Sequence, residues 1–344
     1  MSFHLPSQTT LKLFKCSDFP TSEAHFQPTE LSAIAVAVAK FLVTSPPIPQ
    51  PSLFLGEQRS RSDDSLSWEE VYQFLQITYK VREKELATGS GSFLLEVGVL
   101  TIRLDRKRDG FDDRFRGLLT RAQQILFIRD PSTSTVYKAL IMSKASPKIH
   151  YLVSEYLTYQ ASFVIKPVTI SPGLISKTID HAVRSALRVA ADRSVSGTSS
   201  EAVTRSASFV LGSLEMGFDT TKKFKSETGL TGNDSLTSMS LDIPLQDFAH
   251  FIQNSPDPST GEVRTSFTSN IYSHLKAQTA INFTDGVLQP SENGLIQTSG
   301  LGISQARFSD IYMIFQSGKV KFFGLEYELE WSVLGAILEG VLQG

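Results

Sequence analysis

The sequence predicts an α+β fold: two α+β parts, with antiparallel strands and hairpins and a central amphipathic αα-hairpin. Three observations carry that expectation. Residues 171–191 open with Ser171-Pro172 and then place apolar side chains at helical steps. Residues 311–331 read as two strands about Ser317-Gly318. At 344 residues the chain is long enough for roughly two domains of 100–200 residues. The expected divisions are an N-terminal arm, helix and proline-rich connector over 1–51, an α+β domain over 52–170, and a helical hairpin followed by a β-rich domain over 171–344.

Residues 1–28 are polar with scattered aromatics and read either as a disordered segment or as an arm that docks on another subunit through Leu11, Leu13, Phe14 and Phe19. From Thr29 an Ala- and Val-rich helix runs to about Val43. It stops at the four prolines of 44–51, a semi-rigid extended connector, and residues 60–65 read as an exposed loop. Ser67 and Glu70 make a capping box, each side chain able to satisfy the other's orphan N–H. A helix is therefore expected from there to about Leu86, with Val71, Phe74, Leu75, Thr78 and Val81 on one face. After Gly89-Ser90-Gly91, residues 93–104 read as a strand. A charged turn about Asp109-Gly110 leads to an expected helix over 112–125 with Phe115, Leu118, Leu119 and Ala122 inward. Residues 125–129 and 135–142 flank a turn and read as a hairpin. Residues 149–170 read as more strand, with helix over 150–162 as the alternative.

In the helix that starts at Ser171, Ile175, Ile179, Ala182, Val183, Ala186, Leu187 and Ala190 line one face. Lys177, His181, Arg184 and Arg188 recur at the same steps on another. This basic stripe has three open meanings: a contact to phosphates, a contact to anionic lipid headgroups, or a solvated face paired with Asp180 and Asp192. After a Ser-rich break at 193–200, a second helix carries Val203, Ala207, Val210, Leu211 and Leu214 on one face. Residues 226–300 are Ser-, Thr- and Gly-rich and read as strands and loops, with a turn at 255–261. At the C-terminal end Leu325, Tyr327, Leu329 and Trp331 alternate with Glu326, Glu328 and Glu330. Period two means a half-buried strand with an acidic solvent side.

With 33 basic against 35 acidic residues, a net charge of −2 excludes a globally basic nucleic-acid binder, so any polyanion contact must be local. A single cysteine, Cys16, excludes an internal disulfide and a Cys-rich zinc site. The amino-terminal segment lacks the pattern of a secretory signal. The apolar runs 31–43 and 333–342 fall short of the roughly 20 residues that span a bilayer. A cytoplasmic location is expected, or a virion if the protein is viral.

Phosphate-loop, dinucleotide, zinc-protease and nucleophile-elbow motifs do not occur. The loop 105–116 fails as a calcium site because Lys107 and Arg116 stand where ligands are needed. No metal or cofactor is expected. The function expected is that of a non-enzymatic, self-associating structural protein, such as a viral nucleoprotein, matrix or coat subunit, with the stripe Lys177, His181, Arg184 and Arg188 for RNA or an anionic membrane. A monomeric lipid- or small-ligand-binding domain, with a dry apolar cavity, and a hydrolase assembled from distant residues are the alternatives.

Overall fold

The computed structural model describes residues 5–6, 8–17, 26–44, 66–88, 91–111, 115, 118–119, 121–130, 136–161, 163–193, 199–220, 238–244, 247–248, 251, 266–284, 288–291, 294–297, 301–309 and 311–343. The connector, the loop at 60–65, the turns at 131–134 and 255–261, the break at 194–198 and Phe19 lie outside them. In chain order the elements are β1 (Thr10–Ser17), α1 (Pro28–Thr44), α2 (Trp68–Phe74), β2 (Leu75–Thr88), β3 (Gly91–Leu104), β4 (Gln123–Arg129), β5 (Tyr137–Ser143), α3 (Pro147–Ala161), β6 (Ile165–Pro167), α4 (Pro172–Arg193), α5 (Ser200–Leu211), β7 (Leu214–Thr220) and β8 (Ser238–Ile243). They continue with α6 (Phe267–Thr279), β9 (Phe283–Thr284), β10 (Leu288–Ser291), β11 (Gly294–Gln297), β12 (Leu301–Phe308), β13 (Tyr312–Phe315), β14 (Lys319–Phe322) and α7 (Tyr327–Gln343). The fold is α+β.

The chain forms two compact units interleaved in sequence. Unit 1 is Met1–Phe14, Glu85–Phe93 and Pro167–Gly344; unit 2 is Lys15–Lys84 and Leu94–Lys166. In unit 2 the strand order is β2-β3-β4-β5, with β4 antiparallel to both neighbours. Ile125, Leu126, Phe127 and Ile128 are buried one after another, as a strand covered on both faces requires. Ile34, Val38 and Leu42 of α1 and Val153 and Leu157 of α3 complete this core. Phe26 and Tyr79 meet with ring centres 4.5 Å apart, and burial, with the Glu96 carboxylate nearby, pushes the Tyr79 phenol up to about 12.

In unit 1 the order is β1-β14-β13-β12-β7-β8, with β9 parallel to β12. Leu11, Val320, Ile314, Ala306 and Met216 are buried on one face of this sheet, where α4 packs on β12. The β13–β14 hairpin turns at Gly318, whose φ of 72° a side chain would strain. A Cβ there would also overlap the Val168 carbonyl.

Several expectations are corrected. Leu11 and Leu13, expected to dock on another subunit, are fully buried in β1 of their own chain, where Thr10–Lys12 pair with β14. The helix that begins at the Ser67–Glu70 capping box ends at Phe74 instead of Leu86. The Phe74 carbonyl accepts from Asp105 N–H at 2.7 Å, and the β-branched and aromatic Ile77, Thr78, Tyr79 and Val81 favour the extended β2. Of the helix expected over 112–125, residues 112–114, 116–117 and 120 lie outside the described residues, and 123–125 belong to β4. Residues 147–161 form α3, the helical alternative and not the strand first expected over 149–170, of which only Ile165–Pro167 is strand. Helix α6, capped by Ser266, whose hydroxyl accepts from Ser269 N–H at 3.1 Å, stands in a region read as strands and loops.

The largest correction is at the C-terminal end. β14 stops at Phe322, and Tyr327–Gln343 is helix. Trp331, Leu334, Ile337, Leu338, Val341 and Leu342 are buried at three- and four-residue steps, a longer pattern than the period-two run that precedes it. Glu330 is 1% exposed rather than on a solvent face, and its carboxylate accepts from the Gly324 N–H in the turn leading into α7.

The helix places Glu328 and Glu330 on different faces, whereas a strand places them together. Leu329→Ala should cost about 2–5 kcal/mol as a buried leucine truncation. Glu330→Ala should cost about 1.5–3 kcal/mol, because it removes a hydrogen bond to a charged group, the carboxylate that accepts from the Gly324 N–H, and Glu328→Ala less than about 0.5 kcal/mol. Urea denaturation midpoints decide it: equal effects at 328 and 330 would contradict the helix.

Candidate polyanion-binding face

Helix α4 begins where Ser171 and Pro172 dictate. The Ser171 hydroxyl accepts from Leu174 N–H at 3.2 Å, and proline occupies the first helical position, where no donor is needed. Leu174, Ile175, Ile179, Ala182, Val183, Ala186 and Ala190 are buried. The alanines at four-residue steps let neighbouring helices approach closely. Gly340 of α7 serves the same end, since a Cβ there would overlap the Leu174 side chain.

Polar contacts then fix the rotation of α4. The Asp180 carboxylate accepts from Thr268 N–H at 2.9 Å and from its hydroxyl at 3.1 Å, so it caps the N-terminus of α6 from outside, where a carboxylate suits the helix dipole. Burial raises the Asp180 pKa above its ordinary 3.8, against the lowering effect of the bonds to Thr268 and Ser266 and of Arg184. His181 Nε2 lies 2.8 Å from Ser332 Oγ on α7, and Ser185 Oγ lies 3.1 Å from the same oxygen.

These contacts split the sequence-predicted stripe. Lys177, Arg184 and Arg188 are exposed, while His181 is half-buried and turned to α7. Among the described residues none of the three exposed cations lies within ion-pair distance of a carboxylate; Arg184 Nε donates to the Asp180 carbonyl at 3.3 Å. At 1.5 Å per residue the three are spaced about 10 Å and about 6 Å along the helix. His181 is held below its ordinary 6.5, first by burial and then by Arg184 and Arg188, with Glu339 opposing. It is therefore neutral at neutral pH and adds no charge to the stripe there. Sequence periodicity located the stripe but had no means of finding Ser332 or Thr268, which lie 151 and 88 residues away from their partners.

Ser332 beside His181 has the spacing of a nucleophile and base. Both sit inside helices, however, where backbone N–H groups bond within the helix, so the donors that would stabilise an oxyanion are already used. The pair reads as a polar contact between helices. A cavity of about 280 Å³ between α4, α5 and α7 is lined by Val189, Val210, Leu325 and Leu329, and also by Arg193 and Glu326, which pair at 3.7 Å. It is not the dry apolar chamber of a lipid carrier. Among the described residues no group of three or more His, Cys, Asp or Glu side chains is placed to hold a metal ion. No helix among them is long and apolar enough to cross a membrane. No protein-family model matches the chain, and no curated protein matches it in sequence.

The lowered pKa of His181 has a sign. The unfolded chain recovers the ordinary value, so on acidification it takes up the proton first. The stability owed to neutral His181 is complete above about pH 6.5 and is lost as pH falls towards the folded-state value. His181→Gln should flatten the loss of stability between pH 7.5 and pH 5 in urea titrations. An unchanged pH dependence would contradict the placement of His181.

Proposed function

We infer that the protein is a non-enzymatic RNA-binding structural component of the kind found in nucleoprotein, matrix or coat assemblies, with Lys177, Arg184 and Arg188 contacting phosphates. What carries this reading is one observation: three exposed cations, none of them in an ion pair among the described residues, with only Arg184 near enough to the Asp180 carboxylate to lower its pKa, on a helix whose other faces are held by its own unit. RNA fits better than an anionic membrane. A membrane-surface helix buries its apolar face among the lipids, and that face of α4 is already in the core. Lipid would be held by charge alone, at about 1 kcal/mol per residue. Self-association is supported by β8, the outermost described strand of the unit 1 sheet, since such an edge offers unpaired backbone groups to a second copy.

The test is salt-dependent binding. For single-stranded RNA the log–log slope of affinity against salt should shrink by about 0.7 for each phosphate contact removed, so by about 2 in Lys177→Glu, Arg184→Glu, Arg188→Glu. Anionic vesicles should float neither parent nor variant. A folded variant with the parent's slope would leave the stripe a solvated face.

A further inference from the structure

The sheet of unit 1 has a second face, turned away from α4, and strand register concentrates charge and rings on it. Successive residues of a strand alternate between faces, and Lys12, Lys319 and Gln305 are exposed where Leu11, Val320 and Ala306 are buried. Read across the strands, one row of this face is Lys12, Lys319, Phe315 and Gln305; the next is Thr10, Lys321, Met313, Arg307, Glu215 and Asp242. Phe323 follows Lys321 on the same side, with Lys321 Nζ 4.9 Å and the Arg307 guanidinium 5.5 Å from its ring centre. Phe315 and Phe323 are half-buried.

Two features of this face need a reason. Lys12 and Lys319 are direct cross-strand partners, and like charges in that position destabilise a sheet. Large aromatic side chains also stand on the solvent side of the pleat. A polyanion with flat, apolar bases answers both: its phosphates relieve the lysine repulsion and its bases stack on the rings, the combination by which single strands are held without sequence preference. Arg307 is paired with Glu215 at 3.3 Å, and Asp242 follows in the same row, so the favourable path runs along β1, β14 and β13 and not across β7. We propose that this open face binds single-stranded RNA, with Phe315 and Phe323 as stacking platforms and Lys12, Lys319 and Lys321 on the phosphates.

The proposal rests on the RNA reading but not on the α4 stripe, and the test separates them. Binding of a 12-nucleotide oligouridine and of inorganic polyphosphate is measured by competition on the full chain, beside flotation with anionic vesicles. Phe315→Leu, Phe323→Leu keeps apolar bulk in the sheet and removes the flat rings. It should weaken oligouridine by about 5- to 150-fold per ring and leave polyphosphate unchanged. Lys12→Gln, Lys319→Gln, Lys321→Gln should weaken both, with the oligouridine salt slope reduced by about 0.7 per lysine. The ring effect should persist in Lys177→Glu, Arg184→Glu, Arg188→Glu; if it persists there while that variant binds like the parent, the sheet stands and the stripe falls. Leucine variants that bind oligouridine like the parent, or that lose polyphosphate equally, overturn the proposal. So does a lysine variant altered only in flotation.

Discussion

Unit 1 depends on the burial of a single helix on every side but one. The apolar face of α4 lies on β12, Leu174 meets Gly340 of α7, Asp180 caps α6, and His181 and Ser185 converge on Ser332. Small residues allow the close approach, and hydrogen bonds fix the rotation where packing of alanines alone would leave it loose. Once those faces are fixed, Lys177, Arg184 and Arg188 have nowhere to point but outward. The stripe thus follows from the core, because the same contacts that bury His181 hold the cations on a rigid support.

Sequence and structure agree where the signal is local. The proline start of α4, the Ser67–Glu70 box and the turn at Gly318 are each set by residues within a few positions of one another. They part where a long-range contact decides. Helix α2 ends at Phe74, where the carbonyl accepts from the Asp105 N–H just past β3 and the chain continues as β2. The run from Leu325 to Trp331 satisfies period two over seven residues, yet Glu330 is drawn inward by the Gly324 turn and the helical period governs the next dozen. α6 is apolar at Phe267, Ile271 and Leu275, a spacing that a Ser- and Thr-rich background obscured.

The same distinction explains which candidate binding residues were legible. Lys177, Arg184 and Arg188 share one helix, so their common face can be counted along the chain. Lys12 and Lys319 lie at opposite ends of the sequence and become neighbours only through the register of β1 on β14. No motif announces such a face. It appears when strand order, pairing and exposure are known together, and its aromatic members read in isolation as ordinary strand residues.

Both surfaces belong to unit 1, one on its helical layer and one on the open side of its sheet. If the protein acts by holding RNA on these fixed surfaces, photocrosslinking records the contact on each of them. A 4-thiouridine oligonucleotide is irradiated with the intact protein and the linked peptides are identified by mass spectrometry. Links on the strands carrying Phe315 and Phe323, with further contacts on α4 between Lys177 and Arg188, are the expected result. Links confined to unit 2, or no link above that of an unrelated acidic protein, would contradict it.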